Sequence, residues 1–208
     1  MLRALYRTVV PAVVRDWIYI QRHADARQYH RFQHRDAIRA FLAEVARSGW
    51  FHGVVLEVGS GQETFARDVF CAANPRLKFL RSEISPGGYG QQATIPRGFY
   101  ALYTSVTALG LRSGSLDGIL CSEVLEHVAD FPAALREMAR VLKPGGRLLI
   151  TCPFLYPLHG PQDYWRFTPQ AFEYLLAKDF TINRIHKALL EPGADNAPLN
   201  IGVLATRR

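Results

Sequence analysis

Apolar positions follow two rhythms along the chain. Leu2, Leu5, Tyr6, Val9, Val13, Trp17 and Ile20 recur at spacings of three and four, which predicts a helix that Pro11 kinks or divides. A second helical run extends from about Ala24 to Arg47 and ends at Ser48-Gly49, a glycine of the C-cap type. Strand and helix then alternate. Strands are expected at Val54 to Val58, Lys78 to Glu83, Phe99 to Thr104, Leu116 to Ser122 and Arg147 to Cys152, with helices at Glu63 to Ala73 and Phe131 to Leu142. Asn74-Pro75 breaks the first of these helices, and Ser85 to Gly90 reads as a flexible loop. Such alternation predicts a parallel sheet wrapped by helices on both faces.

The tail departs from this rhythm. After a helix at about Pro169 to Ala177, the runs Phe180 to Ile185 and Ile201 to Thr206 are both strand-like, with no helical pattern between them. They are expected as an antiparallel pair at the sheet edge, where an ordinary dinucleotide fold would insert a crossover helix.

Four local features carry chemistry, and they occur in order. Val54 to Val58 stops at Gly59-Ser60-Gly61, a strand-to-glycine turn of the kind that lets backbone approach a nucleotide-like ligand. Glu83 closes the next strand 22 residues beyond Gly61, near the ~20 at which an acidic group receives ribose hydroxyls. Ser115 to His127 is a strand running into a polar turn, and Val141 to Ile150 contains the tight turn Lys143-Pro144-Gly145-Gly146 before another strand.

Taken together these motifs resemble the class I methyltransferases that use S-adenosylmethionine, of the small type-11 kind, over roughly residues 50 to 155. The resemblance implies a doubly wound, Rossmann-like α/β fold with a seven-stranded, mostly parallel sheet whose last strand is antiparallel. It also implies that Gly59, Ser60 and Gly61 face the methionine part of the cofactor, that Glu57 orients their turn, and that Glu83 binds the ribose. Ser105, beside Val106, falls where the family usually places an acidic residue for the adenine, and Ser122 and Glu123 complete the implied cofactor contacts. Glu63 stands where many members carry a third glycine, and its carboxylate at a helix start narrows the room for ligand.

The stretch Thr151 to Pro169 follows a strand's carboxyl end and is rich in aromatic residues and prolines, so it is expected to overhang the cofactor crevice. His159, Asp163, Tyr164 and Arg166 are its polar candidates, the last three for substrate binding. Methyl transfer from a sulfonium relies chiefly on alignment in a dry pocket, and a hydroxyl acceptor adds the need for a base. His159 is the first candidate base and His127 the second, while Asp117 is expected to cap and orient. Arg166 suits an anionic group on the acceptor, or a structural bridge to Asp163.

At 208 residues, 49% hydrophobic and 21% charged, the chain supports one substantial core: an S-adenosylmethionine-binding domain over residues 48–208 behind a helical extension over residues 1–47. No apolar run approaches the ~20 residues needed to cross a bilayer, and no secretory signal is expected, so the cytoplasm is the expected location. Cys71, Cys121 and Cys152 lack CxxC spacing and read as reduced core thiols. The net charge is +7, and nine arginines lie within the first 47 residues. That places any preference for anions in the extension, whose apolar stripe either packs on the domain as a lid or rests on an anionic membrane surface. Neither zinc-finger spacing nor RNA-recognition patterning occurs, and nucleic acid is not an expected partner. His30 and His34 lie four apart without a carboxylate or cysteine partner and read as a solvated face, so no metal is expected. The expected acceptor is a small molecule, or a glycan-linked or lipid-linked one, methylated at oxygen. The alternatives are a catalytically silent cofactor-binding partner and a nicotinamide-dependent oxidoreductase.

Overall fold

The structure, a computed structural model, describes residues 26–85, 101–189 and 198–208. The helix read over residues 2–20, the loop from 86 onward and the start of the strand read at Phe99 lie outside the described residues. The elements, in chain order, are helix α1 (Ala26–Arg47), strand β1 (Val54–Val58), helix α2 (Phe65–Ala73), β2 (Lys78–Glu83), β3 (Leu102–Tyr103), β4 (Leu116–Ser122), a single 3-10 turn (Leu125–His127), α3 (Phe131–Val141), β5 (Leu142–Pro153), α4 (Pro169–Leu176), β6 (Phe180–Leu189) and β7 (Pro198–Arg207).

The seven strands form one sheet in the order β3-β2-β1-β4-β5-β7-β6, and β7 alone runs antiparallel, between β5 and β6. The order reverses between β1 and β4, which opens a crevice at their carboxyl ends. Because both faces of this sheet are covered, its inner strands read as continuous apolar runs. Val55, Leu120, Leu149 and Leu204 point to one face, beneath α1 and α2. Leu56, Ile119, Leu148 and Val203 point to the other, beneath α3 and α4.

Helix α1 is tied into this core at its C-terminal half, where Phe41, Leu42, Val45 and Ala46 are buried. The ring of Phe41 lies over Gly202 of β7, so close that a Cβ there would stand 2.4 Å from Cε1. It also stacks on His186 of β6 with centroids 4.4 Å apart. Gly202 is therefore a close-approach glycine, and it lets a helix from the beginning of the described chain seat against the strand nearest its end.

Several boundaries differ from the sequence reading, among them β3, which spans only Leu102–Tyr103. Helix α2 starts at Phe65, because the Glu63 carbonyl is turned aside to accept from Arg81. The β5 strand begins at Leu142, since Leu142 pairs with Leu116 and the Lys143 to Gly146 turn becomes an irregularity inside the ladder. The last two strands are longer, because β6 pairs with β7 as far as Leu189 and Pro198 although no simple alternation marks that extension.

Replacing Gly202 by Val should displace the Phe41 ring and destabilise the chain by about 1–3 kcal/mol. In the Phe41→Ala background the same change should cost less, giving a coupling energy above about 0.5 kcal/mol in a double-mutant cycle by urea denaturation.

Candidate functional site

The glycine turn hangs on one buried arginine. Arg81 on β2 is 4% exposed; its Nε donates to Glu57 Oε2 at 3.2 Å, and its Nη2 donates to the carbonyls of Ser60, Gly61 and Glu63. The turn is held on its other edge as well, where Ser60 N donates to the Ser82 carbonyl at 3.0 Å. Gly59 and Gly61 have φ of +60° and +57°, a conformation that favours glycine, and a Cβ on Gly61 would meet open space. Burial pushes the Glu57 carboxyl up to about 7, with Arg81 pulling the other way. Glu57 thus reaches the turn through Arg81, a residue that the sequence reading passed over because an arginine inside a strand looks like surface.

Glu83 also serves the turn. Its Oε2 accepts from Gly61 N at 2.9 Å and its Oε1 from Ile84 N at 2.8 Å, leaving one lone pair on each oxygen for a further donor. Glu63 points away and pairs with Arg35 and Arg39 of α1, at 2.7 and 3.2 Å. The position read as a narrowing of the cofactor cleft is therefore a latch between the turn and α1.

The turn forms one wall of a cleft of about 610 Å³. Its lining includes Glu57, Gly59, Ser60, Gly61, Ser122 and Glu123, with His34, Arg35 and Arg39 of α1 and Tyr156 and His159 of the loop after β5. Ser105 and Val106 are not in the lining; Ser105 Oγ accepts from Thr107 N and bonds its hydroxyl at 2.8 Å, closing a local turn.

Across the floor runs a polar relay. Ser122 Oγ lies 2.8 Å from Thr151 Oγ1, which donates to Glu123 Oε1 at 2.8 Å, and Asn200 Nδ2 donates to the same oxygen at 2.7 Å. Glu123 has a φ of +56°, the one described non-glycine residue with positive φ, and it faces His34 Nε2 at 3.3 Å. His34 is 5% exposed, which overturns its reading as part of a solvated face: α1 buries it against Glu123 and the Tyr156 ring, 4.4 Å away. Burial lowers His34 to about 4, aided by His159 and Arg166, and raises Glu123 to about 7. Burial thus disfavours the imidazolium on one side of this contact and the carboxylate on the other.

The aromatic loop places its polar candidates differently from one another. Arg166 donates to both oxygens of Asp163 and to the carbonyls of Trp165 and Tyr156, so it bridges Asp163 as a clamp within the loop. That hydrogen bonding holds the Asp163 carboxyl down at about 2. Asp163 Oδ2 accepts from His159 N and stands 3.1 Å from His159 Nδ1. Burial lowers the His159 imidazole, so it is neutral and able to accept a proton at pH 7. His127 is outside the cleft lining, with Nδ1 against the Gln162 carbonyl. Tyr164 donates its N-H to the Glu126 carbonyl at 2.8 Å and leaves its ring half exposed. Asp117 accepts from Val54 N and Lys143 Nζ, at 2.8 and 2.6 Å, which ties β1 to the Lys143 turn.

A nucleotide-sized crevice at the carboxyl ends of β1 and β4, with a glycine turn and an acidic β2 end, is the arrangement of a class I methyltransferase. Residues 56–150, just under half of the chain, match the family model described as a methyltransferase domain. Over 54 residues it is 48% identical to a demethylmenaquinone methyltransferase of Mycolicibacterium gilvum, covering 26% of this chain and 23% of that protein. Over 40 residues it is 50% identical to a ubiquinone biosynthesis O-methyltransferase of Xanthomonas oryzae pv. oryzae, covering 19% of this chain and 17% of the relative. These matches therefore span less than a quarter of either relative. In fold the chain is similar to a SAM-dependent methyltransferase of Methanosarcina mazei, with TM-score 0.56 and 17% identity over 77% of this chain and 95% of that one. It is also similar to one from Archaeoglobus fulgidus, with TM-score 0.60 and 14% identity over 83% and 94%.

The cleft offers S-adenosylmethionine room at the turn, where a Cβ on Gly61 would meet open space, whereas Glu83 is buried, accepts from Gly61 N and Ile84 N, and is not among the lining residues. Among the described residues no helix is long and apolar enough to cross a membrane.

The His34 shift has a definite sign. The folded chain holds the imidazole neutral, so this group's contribution is present above its ordinary value of 6.5 and is lost as pH falls from there toward 4. Relative to wild type, His34→Gln should therefore gain about 2 kcal/mol between pH 7.5 and 4.5, read as the change in the stability difference by urea denaturation at the two values.

Proposed function

We propose that the chain transfers the methyl group of S-adenosylmethionine to a hydroxyl on a small, largely apolar acceptor. The observation that carries this reading is the cleft itself, in which the glycine turn stands on one wall and His159 and Tyr156 on another. When bound, the cofactor supplies a methyl carried by a sulfonium: the carbon-sulfur bond breaks as the carbon-oxygen bond forms, and a neutral thioether remains. The chain's own residues orient, dry and deprotonate. Arg81 and Glu83 fix the turn, Tyr156 helps exclude water, and His159 serves the acceptor hydroxyl, whose proton must leave as the bond forms.

An apolar acceptor is supported by the surface around the cleft. The loop after β5 leaves Leu155, Leu158, Tyr164 and Trp165 exposed at 47%, 85%, 49% and 39%. Exposed apolar side chains on the loop that brings Tyr156 and His159 to the cleft suit an acceptor with a hydrocarbon portion, whether free or lipid-linked. The quinone-pathway names of the two short-matching relatives agree with a phenolic member of that class. A peripheral contact with anionic membrane, through the arginine-rich residues before α1, would bring such an acceptor to the cleft.

Calorimetry with S-adenosylhomocysteine is the first check, and wild type should bind with one site. Gly61→Val, which forces a β-branched side chain into a positive-φ turn, should abolish the binding heat while leaving the circular dichroism spectrum intact. With a panel of catechol and hydroxyquinone acceptors, His159→Gln should lower kcat by roughly 10²-fold or more and leave product affinity within threefold. An absence of S-adenosylhomocysteine binding sinks the proposal. Binding without turnover on any acceptor would instead favour a cofactor-binding partner protein.

A further inference from the structure

Next to the cleft, a second group of side chains lacks an explanation in methyl transfer alone. Glu126, in the 3-10 turn after β4, is 0% exposed, and neither of its carboxylate oxygens has a hydrogen-bond partner. A buried carboxyl without a donor is costly unless it takes up a proton or a cation answers its charge. Arg166 is the nearest cation acting on it, but that guanidinium is engaged bidentately by Asp163. Two imidazoles complete the surroundings. His127 Nε2 is 3.6 Å from Glu126 Oε1, and the rings of His127 and His159 meet edge to face with centroids 4.8 Å apart.

We propose that Glu126, His127 and His159 form a binding site for a first-row divalent cation of the Zn²⁺ type. One potential ligand atom from each of the three lies within 4.8 Å of the others. A tetrahedral site with bonds near 2.1 Å needs ligand atoms about 3.4 Å apart, so the trio closes by about 1 Å around an ion, a small movement for two side chains and a loop.

The outer contacts point the same way. A histidine that ligates a metal through one ring nitrogen is oriented through the other, by a carbonyl or a carboxylate. His127 meets the Gln162 carbonyl through Nδ1, which turns its Nε2 toward Glu126. His159 Nδ1 lies 3.1 Å from Asp163 Oδ2, and Asp163 is itself fixed by Arg166. The Glu126 backbone carbonyl and the Val128 carbonyl accept from Tyr164 N and Trp165 Nε1, at 2.8 and 3.0 Å, so the loop that brings His159 is already stitched to the turn that brings Glu126. Two imidazoles and one carboxylate suit Zn²⁺, Mn²⁺ or Fe²⁺ better than Mg²⁺ or Ca²⁺, which favour all-oxygen sets. Three protein ligands leave a position open, and His159 also lines the cleft. An ion there would take the acceptor oxygen and lower its pKa, so that His159 acts through the metal. That last step rests on the methyl-transfer reading; the metal site does not.

The test uses the full chain, stripped with a chelator and titrated with ZnCl₂ by calorimetry, with Co²⁺ absorption as a second readout of ligand geometry. Wild type should bind one ion per chain, with d-d bands typical of nitrogen and oxygen ligands. Glu126→Gln and His159→Gln should each weaken Zn²⁺ at least 100-fold while S-adenosylhomocysteine still binds, and His52→Gln, on the exposed surface, should change nothing. Should Glu126→Gln fail to fold, His159→Gln decides alone, because it alters only a loop residue. Unchanged Zn²⁺ affinity in His159→Gln, or no stoichiometric binding by wild type, overturns the proposal. Zn²⁺ binding that depends on these residues in a chain that takes no S-adenosylhomocysteine would uphold the metal site and defeat only the methyl-transfer reading.

Discussion

The cofactor side of this molecule depends on one buried charge. Arg81 enters from β2, pairs with Glu57 and draws the carbonyls of Ser60, Gly61 and Glu63 toward itself. Without that pull the carbonyls would compete with a ligand for the same face of the loop. The pair is expensive to desolvate, and a hydrophobic pair of equal volume would serve stability as well or better. Its value lies in direction: a planar guanidinium with several fixed donors can shape a backbone turn that no apolar side chain could hold.

From that turn the rest of the cleft is assembled by elements of very different sequence origin. Helix α1 contributes His34 and the arginines that latch Glu63, β4 contributes Ser122 and Glu123, β5 Thr151, and β7 Asn200. The relay among them is buried, and each member has a partner except at the His34–Glu123 contact. Burial disfavours charge on both groups, so the two shifts are opposite in direction and have one cause.

Much of the fold was legible in the residues. The Val54 to Val58 and Leu116 to Ser122 runs are buried on both faces, and continuous apolarity is the signature of such strands. The antiparallel tail was legible too, because no helical period separates its two strands. The site was legible only where chemistry is tied to local sequence, as in Gly59-Ser60-Gly61 and Glu83. His34 and Arg81 escaped because their roles are set by partners 89 and 24 residues away, Glu123 and Glu57, and spacing within an element carries no trace of that. Asp163 and Arg166 illustrate the converse. Both were candidates for substrate, with a bridge between them as the other reading of Arg166, and a three-residue separation lets them satisfy each other.

The antiparallel insertion of β7 between β5 and β6 has a consequence for how the molecule comes into being. Asn200 closes a relay that His34 opens, so the polar network around Glu123 is incomplete in any chain that has emerged only as far as β5, however well its parallel core has formed. Synthesis from the N-terminus therefore yields a sheet first and this network last, through the most non-local contacts in the fold. Loss of the final strand, by nicking or stalled synthesis, would strip Asn200 from Glu123 and Gly202 from beneath Phe41 while sparing the parallel strands.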